Sequence, residues 1–228
     1  MKNSQGNWNK LFKIGGIAAF FSVLLIPVQI FIFISWPPPI EIVDWFSLFQ
    51  ESWLLGLLSL DLLYILNNTL ILLVYLALYF ALKQADETMM AIGFMLGIVG
   101  VTVLSSSNVS FEMLALSNQY AATTSEATKT MLLTSGHTLM TIYTGTAFDI
   151  YYILNGIALL IMAIVMLQSN VFGKGAAYWG LFAAILMSIP STAGMIGMVF
   201  ALASLIHWIV FCILIARKLL QLGQLHAK

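Results

Sequence analysis

Residues 54–82 read LLGLLSLDLLYILNNTLILLVYLALYFAL, twenty-nine positions carrying a single charge, Asp61. A helix that crosses about 30 Å of hydrocarbon needs about 20 predominantly apolar residues. The stretch therefore predicts a transmembrane span, long enough that it must tilt or begin in the interface. Working outward, five further apolar runs occur at 11–35, 88–105, 146–168, 176–189 and 195–216. Together the six predict an all-α, polytopic transmembrane helix bundle of about six spans. The fifth run is short; Pro190 is placed to end or kink it, and Ser191, Thr192 and Gly194 to turn the chain into the sixth.

Composition agrees with that reading. Hydrophobic residues make up 61% of the 228 and charged residues 8%, whereas a soluble domain carries about 25% charged residues. No polar stretch is long enough for a separate soluble unit, so residues 1–228 read as a single transmembrane domain. The formal net charge is zero, which argues against a nucleic-acid partner. A lone cysteine, Cys212, can form neither an intrachain disulfide nor a cysteine-based metal site. The twelve methionines follow no metal-binding pattern. No metal and no cofactor is expected.

Charge placement gives an orientation. Lys2, Lys10 and Lys13 precede the uncharged apolar run 14–35, which at about 22 residues exceeds the roughly 7–15 of a signal-peptide core. It reads as an uncleaved first span. With both termini cytoplasmic, Lys2, Lys10, Lys13, Lys83, Lys174, Arg217, Lys218 and Lys228 share the cytoplasmic side and Lys129 stands alone outside. Positive-inside asymmetry favours that arrangement in a cell membrane. Reading 127–145 as a seventh span would move Lys174, Arg217 and Lys218 outside, which the same rule disfavours.

Two outer segments, 36–53 and 106–145, are more than linkers. Trp36 and three consecutive prolines stop the first helix. Aromatic residues then mix with acids over 40–53, as in a helix lying at the membrane surface, with Trp36, Trp45 and Trp53 as an interfacial belt. In the second segment Thr123 and Glu126 have the spacing of a capping box, announcing a helix and hence an outer helical hairpin. Gly93, Gly97 and Gly100 give the third span a smooth face for close helix contact, and Gly197, Ala201 and Ser204 give the sixth a similar one.

Several stretches carry a resemblance: WPPP at 36–39, WFSLFQ at 45–50, 54–63, SNQYAA at 117–122, YTGTAF at 143–148 and IARKL at 215–219. As a set, spread over about 36–223, they resemble a family of prokaryotic multi-pass membrane proteins known only as a domain of unknown function. The resemblance implies a compact helical membrane protein and carries no activity or catalytic residue across.

Ionisable and polar residues in apolar runs are costly and need a reason. Counting back from Lys83 and from Gln168 sets Asp61 and Asp149 near the same, outer boundary of their spans. Asp61, Tyr64 and Asn68 share one helical stripe, and Asp149 and Tyr152 another, with Asn155 rotated away. They define a candidate polar cleft between the second, fourth and sixth spans. The alternative leaves both acids solvated, with Asn67, Asn68 and Asn155 bonding between helices. His207 falls at mid-membrane, either as a hydrogen-bonded core histidine or as a relay or ligand residue. No nucleophile, zinc or nucleotide motif occurs, and no lysine lies inside a span.

The leading expectation is a membrane protein that binds or moves a small or lipid-like ligand through an outward-facing cleft. Asp61, Tyr64, Asn68, Asp149, Tyr152 and His207 are its candidate ligand-binding residues. An accessory or homo-oligomeric interaction protein is a second expectation. An intramembrane enzyme using Asp61, Asp149 or His207 is a third, although no catalytic signature supports it.

Overall fold

The structure is a computed structural model that describes residues 8–189 and 193–224. The expectations placed on Lys2, Pro190, Ser191, Thr192 and Lys228 lie outside the described residues. In chain order the helices are α1 (Trp8–Ser35), α2 (Ile42–Glu51), α3 (Trp53–Ser59), α4 (Leu62–Leu82), α5 (Glu87–Ser106), α6 (Ser110–Ala122), α7 (Glu126–Tyr143), α8 (Thr146–Gln168), α9 (Lys174–Met187) and α10 (Gly194–Gln224). Five stretches are long and apolar enough to cross a membrane, including all of α1, α4 and α10, and α9 is a shorter apolar helix.

These six long or apolar helices close into a ring. α1 packs between α4 and α10; α4 then touches α5, α5 touches α8, α8 touches α9, and α9 returns to α10. Small residues let the backbones approach. On α5, Gly93 would place a Cβ 3.3 Å from the Ala158 carbonyl oxygen, and Gly97 would place one 2.6 Å from Tyr75 Cδ2. On α1, Gly16 would meet Leu220 Cγ at 2.8 Å. The core inside the ring includes Tyr75, Leu78, Leu159, Met162, Phe211 and Ile215, all almost fully buried. The outer faces of α1 and α10 expose Phe31, Ile34, Ile196 and Leu202, as helices bathed in lipid do. The fold is a helical membrane bundle.

The charged ends group as alternating spans require. Lys83 at the end of α4 lies over the Trp8 ring at the start of α1, and Gly223 at the end of α10 abuts Lys13. Lys129, on α7 at the capped end, pairs with Glu126 at 3.0 Å.

Helices α2, α3, α6 and α7 form the cap, with a hydrophobic centre of their own built from Trp45, Phe46, Phe49, Leu60, Met113 and Leu132. This changes the expectation for 40–53. Trp45 is only 2% exposed, whereas Trp53 is 58% exposed, so the aromatic face of α2 is spent on the cap rather than on an interfacial belt. The amphipathic stripe was legible; its partner was another helix. The expected capping box does not form either. Ser125 caps α7 by accepting from the Thr128 amide at 3.4 Å, while Thr123 accepts from the Ser125 amide at 3.3 Å in the turn before it. The N-cap of α7 therefore lies two residues later than the Thr123 reading placed it.

The apolar run 54–82 is two helices, not one span. α3 ends at Ser59, and Asp61 adopts φ 63°, ψ 28°, the only non-glycine positive φ among the described residues. Aspartate and asparagine are the side chains that best tolerate this left-handed region. The break frees the Leu60 carbonyl, which accepts from Asn108 Nδ2 and Ser110 Oγ, each at 2.8 Å. α4 then crosses with 21 residues, about 31 Å of rise.

Candidate functional site

α4 and α8 touch across the ring, and the contact is polar. Asn68 and Asn67 are neighbours in sequence, about 100° apart around α4, so they face different partners. Asn68 turns to α8, where its Oδ1 accepts from the Tyr151 hydroxyl at 2.8 Å while its Nδ2 donates to the Tyr64 carbonyl at 2.9 Å. The Tyr64 hydroxyl donates to that of Tyr151 at 3.0 Å, the two rings meeting edge to face. On α8 the Asn155 Nδ2 donates back to the Tyr151 carbonyl at 3.1 Å. In a low-dielectric interior these bonds are strong, and an unmade one is expensive.

This cross-ring contact borders a partly open cavity of about 330 Å³ between α1, α4, α8 and α10. It is near the lower end of the roughly 300–1,000 Å³ that small-molecule sites occupy. Apolar and aromatic side chains make most of its wall, among them Ile26, Phe33, Ile71, Phe148, Leu205 and Trp208. The polar contribution comes from Gln29 on α1, from Asp61, Tyr64 and Asn67 at and below the α3–α4 break, from Tyr151, Tyr152 and Asn155 on α8, and from Ser204 on α10. From Asp61 to Tyr75 the lining runs fourteen residues along α4, roughly 20 Å.

Two of these groups are incomplete. The Gln29 amide nitrogen donates to the Leu58 carbonyl at 3.3 Å, which leaves its Oε1 enclosed without a partner. Asn67 is 6% exposed, and its Oδ1 likewise lacks one. Leaving a buried acceptor unsatisfied costs about 1–3 kcal/mol. Asp61, one residue outside α4, is held from above by the cap: the Tyr143 hydroxyl at the end of α7 donates to its Oδ2. Burial pushes the Asp61 carboxyl up to about 6, against the opposing pull of that hydrogen bond.

Of the six side chains expected at the site, the cavity gathers Asp61, Tyr64 and Tyr152. Asn68 lies behind the wall in the α4–α8 contact. Asp149, in the first turn of α8, is outside the lining. His207 is also outside it: its Nδ1 lies 2.9 Å from the Ala203 carbonyl, and its ring packs 5.1 Å from Trp179 and 6.0 Å from Phe182 of α9. α1 forms a whole wall that the expectation of spans two, four and six omitted. Gln29 had a signal, as an amide in the otherwise apolar run 14–35. The inward turn of Asn67, Tyr151 and Asn155 had none in the sequence. Among the described residues, no three His, Cys, Asp or Glu side chains converge as a metal site would.

A ring of apolar helices with its backbone satisfied internally, enclosing an apolar-walled cavity, defines an integral multi-pass membrane protein. Within that class the chain belongs to the family described as a domain of unknown function, DUF4386, whose model matches residues 11–217. No curated protein and no solved structure matches it.

Proposed function

We propose that the protein binds, or helps move, a small or lipid-like ligand in the cavity between α1, α4, α8 and α10, within the cell membrane. One observation carries the reading: an apolar-walled space of about 330 Å³ on which polar groups from all four helices converge. A bundle selected only for stability gains by filling such a space, because each missing contact and each residual void costs stability. Apolar walls supply affinity for the body of a ligand, and a few fixed polar groups orient it. The enzyme reading has less support, since His207 and Asp149 stand away from Asp61's cavity. The apolar outer faces of the ring suit lipid and do not single out a protein partner.

The test uses 2-phenylethanol, an aromatic ring with one hydroxyl, added to the protein in lipid nanodiscs. Trp208 lines the cavity, so the part of the emission lost in Trp208→Phe reports occupancy. A saturable change is expected in the parent. Filling the cavity with Ile26→Phe and Leu205→Phe should weaken it about tenfold or more, the loss of about 1.4 kcal/mol. A linear, unsaturable response identical in both proteins would mean partition into lipid and sink the reading.

A further inference from the structure

We infer that the cavity is a site for a lipophilic amine, a compact apolar body carrying a protonated ammonium group; this rests on the ligand-binding reading above. Gln29 Oε1 on α1 and Asn67 Oδ1 on α4 are buried, unpartnered acceptors among the cavity's lining residues. Both amides sit on rigid transmembrane helices, and the Gln29 amide is oriented by its bond to Leu58. Asp61, at the α3–α4 break, lines the same cavity, with Oδ2 held by Tyr143. The Tyr64 hydroxyl spends its proton on Tyr151, so toward the cavity it too offers a lone pair. No lysine, arginine or histidine contributes to the lining.

The Asn67 amide nitrogen adds neutral donors, but the one ionisable acid in the lining is met by no basic side chain there. An ammonium group brings three donors and no acceptor. It would meet the carboxylate as a charge-assisted partner, with the amide side chains of Gln29 and Asn67 in the same lining. The aromatic wall adds ring faces: Phe33, Phe148, Tyr152 and Trp208 all line the same space. A cation gains from such faces where water is excluded. A carboxylate or phosphate head would meet the like charge of Asp61 with only neutral donors, such as the Asn67 amide nitrogen, to offset it, and a neutral alcohol brings a single donor.

The inference is tested with three probes of similar shape, 2-phenylethylamine, 2-phenylethanol and phenylacetate, at about pH 8, where the amine is protonated. The readout is the saturable, Trp208-dependent emission of the protein in nanodiscs of neutral phosphatidylcholine. The amine should bind about tenfold or more tightly than the alcohol, and phenylacetate should fail to compete. Asp61→Asn should keep the backbone, since asparagine also tolerates the left-handed conformation, and should cost the amine more affinity than the alcohol. Gln29→Leu and Asn67→Leu should each weaken the amine by about tenfold. Glu41→Gln, on the exposed rim before α2, controls for surface attraction and should leave amine affinity unaltered. Equal binding of amine and alcohol, with saturation retained, overturns the amine assignment and leaves the ligand-binding reading standing. Saturable binding by none of the three overturns both. An amine preference lost in Glu41→Gln but kept in Asp61→Asn assigns it to the surface and overturns the inference.

Discussion

Tyr143, the last residue of α7, donates its hydroxyl proton to the carboxylate of Asp61, the left-handed residue between α3 and α4. This hydrogen bond joins those of Asn108 and Ser110 to the Leu60 carbonyl in tying the cap to the point where the apolar run 54–82 breaks. It also decides how Asp61 enters the cavity, with one oxygen committed to the cap.

Removing that donor should be costly. Tyr143→Phe leaves Asp61 buried without its hydroxyl partner, and a loss of about 1–3 kcal/mol is expected. Unfolding by a denaturing detergent, followed by circular dichroism, measures it. In a double-mutant cycle with Asp61→Asn the two substitutions should be strongly non-additive. Full additivity would show that the two side chains do not act on each other.

The same carboxyl sets a pH dependence. Asp61 is raised to about 6 in the folded protein from 3.8, chiefly by burial. The folded state therefore binds its proton more tightly than the unfolded state does. Its contribution to stability is greatest below the unfolded pKa, falls as pH rises through the interval from 3.8 to about 6, and is level above it. The stability difference between the parent and Asp61→Asn, measured across that interval, should follow this slope. A difference that grows in the parent's favour with rising pH would give the opposite sign and refute the assignment.

Close helix approach makes Gly97 intolerant of a side chain. A Cβ there would lie 2.6 Å from Tyr75 Cδ2, and Tyr75 is almost fully buried. Gly97→Leu should destabilise the bundle by about 1–3 kcal/mol or more. Gly175→Leu, where nothing lies within 4 Å, serves as the matched control and should melt close to the parent. Equal melting of both variants would place α5's glycine face in lipid instead.

Orientation follows from the basic residues. Lys10, Lys13, Lys83, Lys174, Arg217 and Lys218 belong to the end of the ring opposite the cap, and Lys129 to the cap. In a Cys212→Ser background, an impermeant thiol reagent applied outside should label cysteines replacing Glu41 and Lys129 and spare one replacing Lys174. Labelling at Lys174 from outside would reverse the proposed topology.

By itself the sequence determined that this chain lives in a membrane and how its crossings are spaced. Apolar length is a local property: hydrocarbon demands about 20 satisfied, uncharged residues wherever a helix crosses. The run 146–168 shows it, since α8 occupies the same residues. The stripe of glycines on 88–105 was legible for the same reason, because a missing Cβ is written in the residue itself. Rotation about the helix axis was not. Asn67 and Asn68 differ by one position, and only the placement of α8 against α4 sent Asn68 to Tyr151 and left Asn67 to the cavity. The break at Asp61 was hidden too, for its partners Asn108, Ser110 and Tyr143 bind across separations of 48, 50 and 82 residues. An uninterrupted leucine-rich run favours a continuous helix locally, and only tertiary hydrogen bonds to the freed Leu60 carbonyl and the Asp61 carboxylate make the interruption stable.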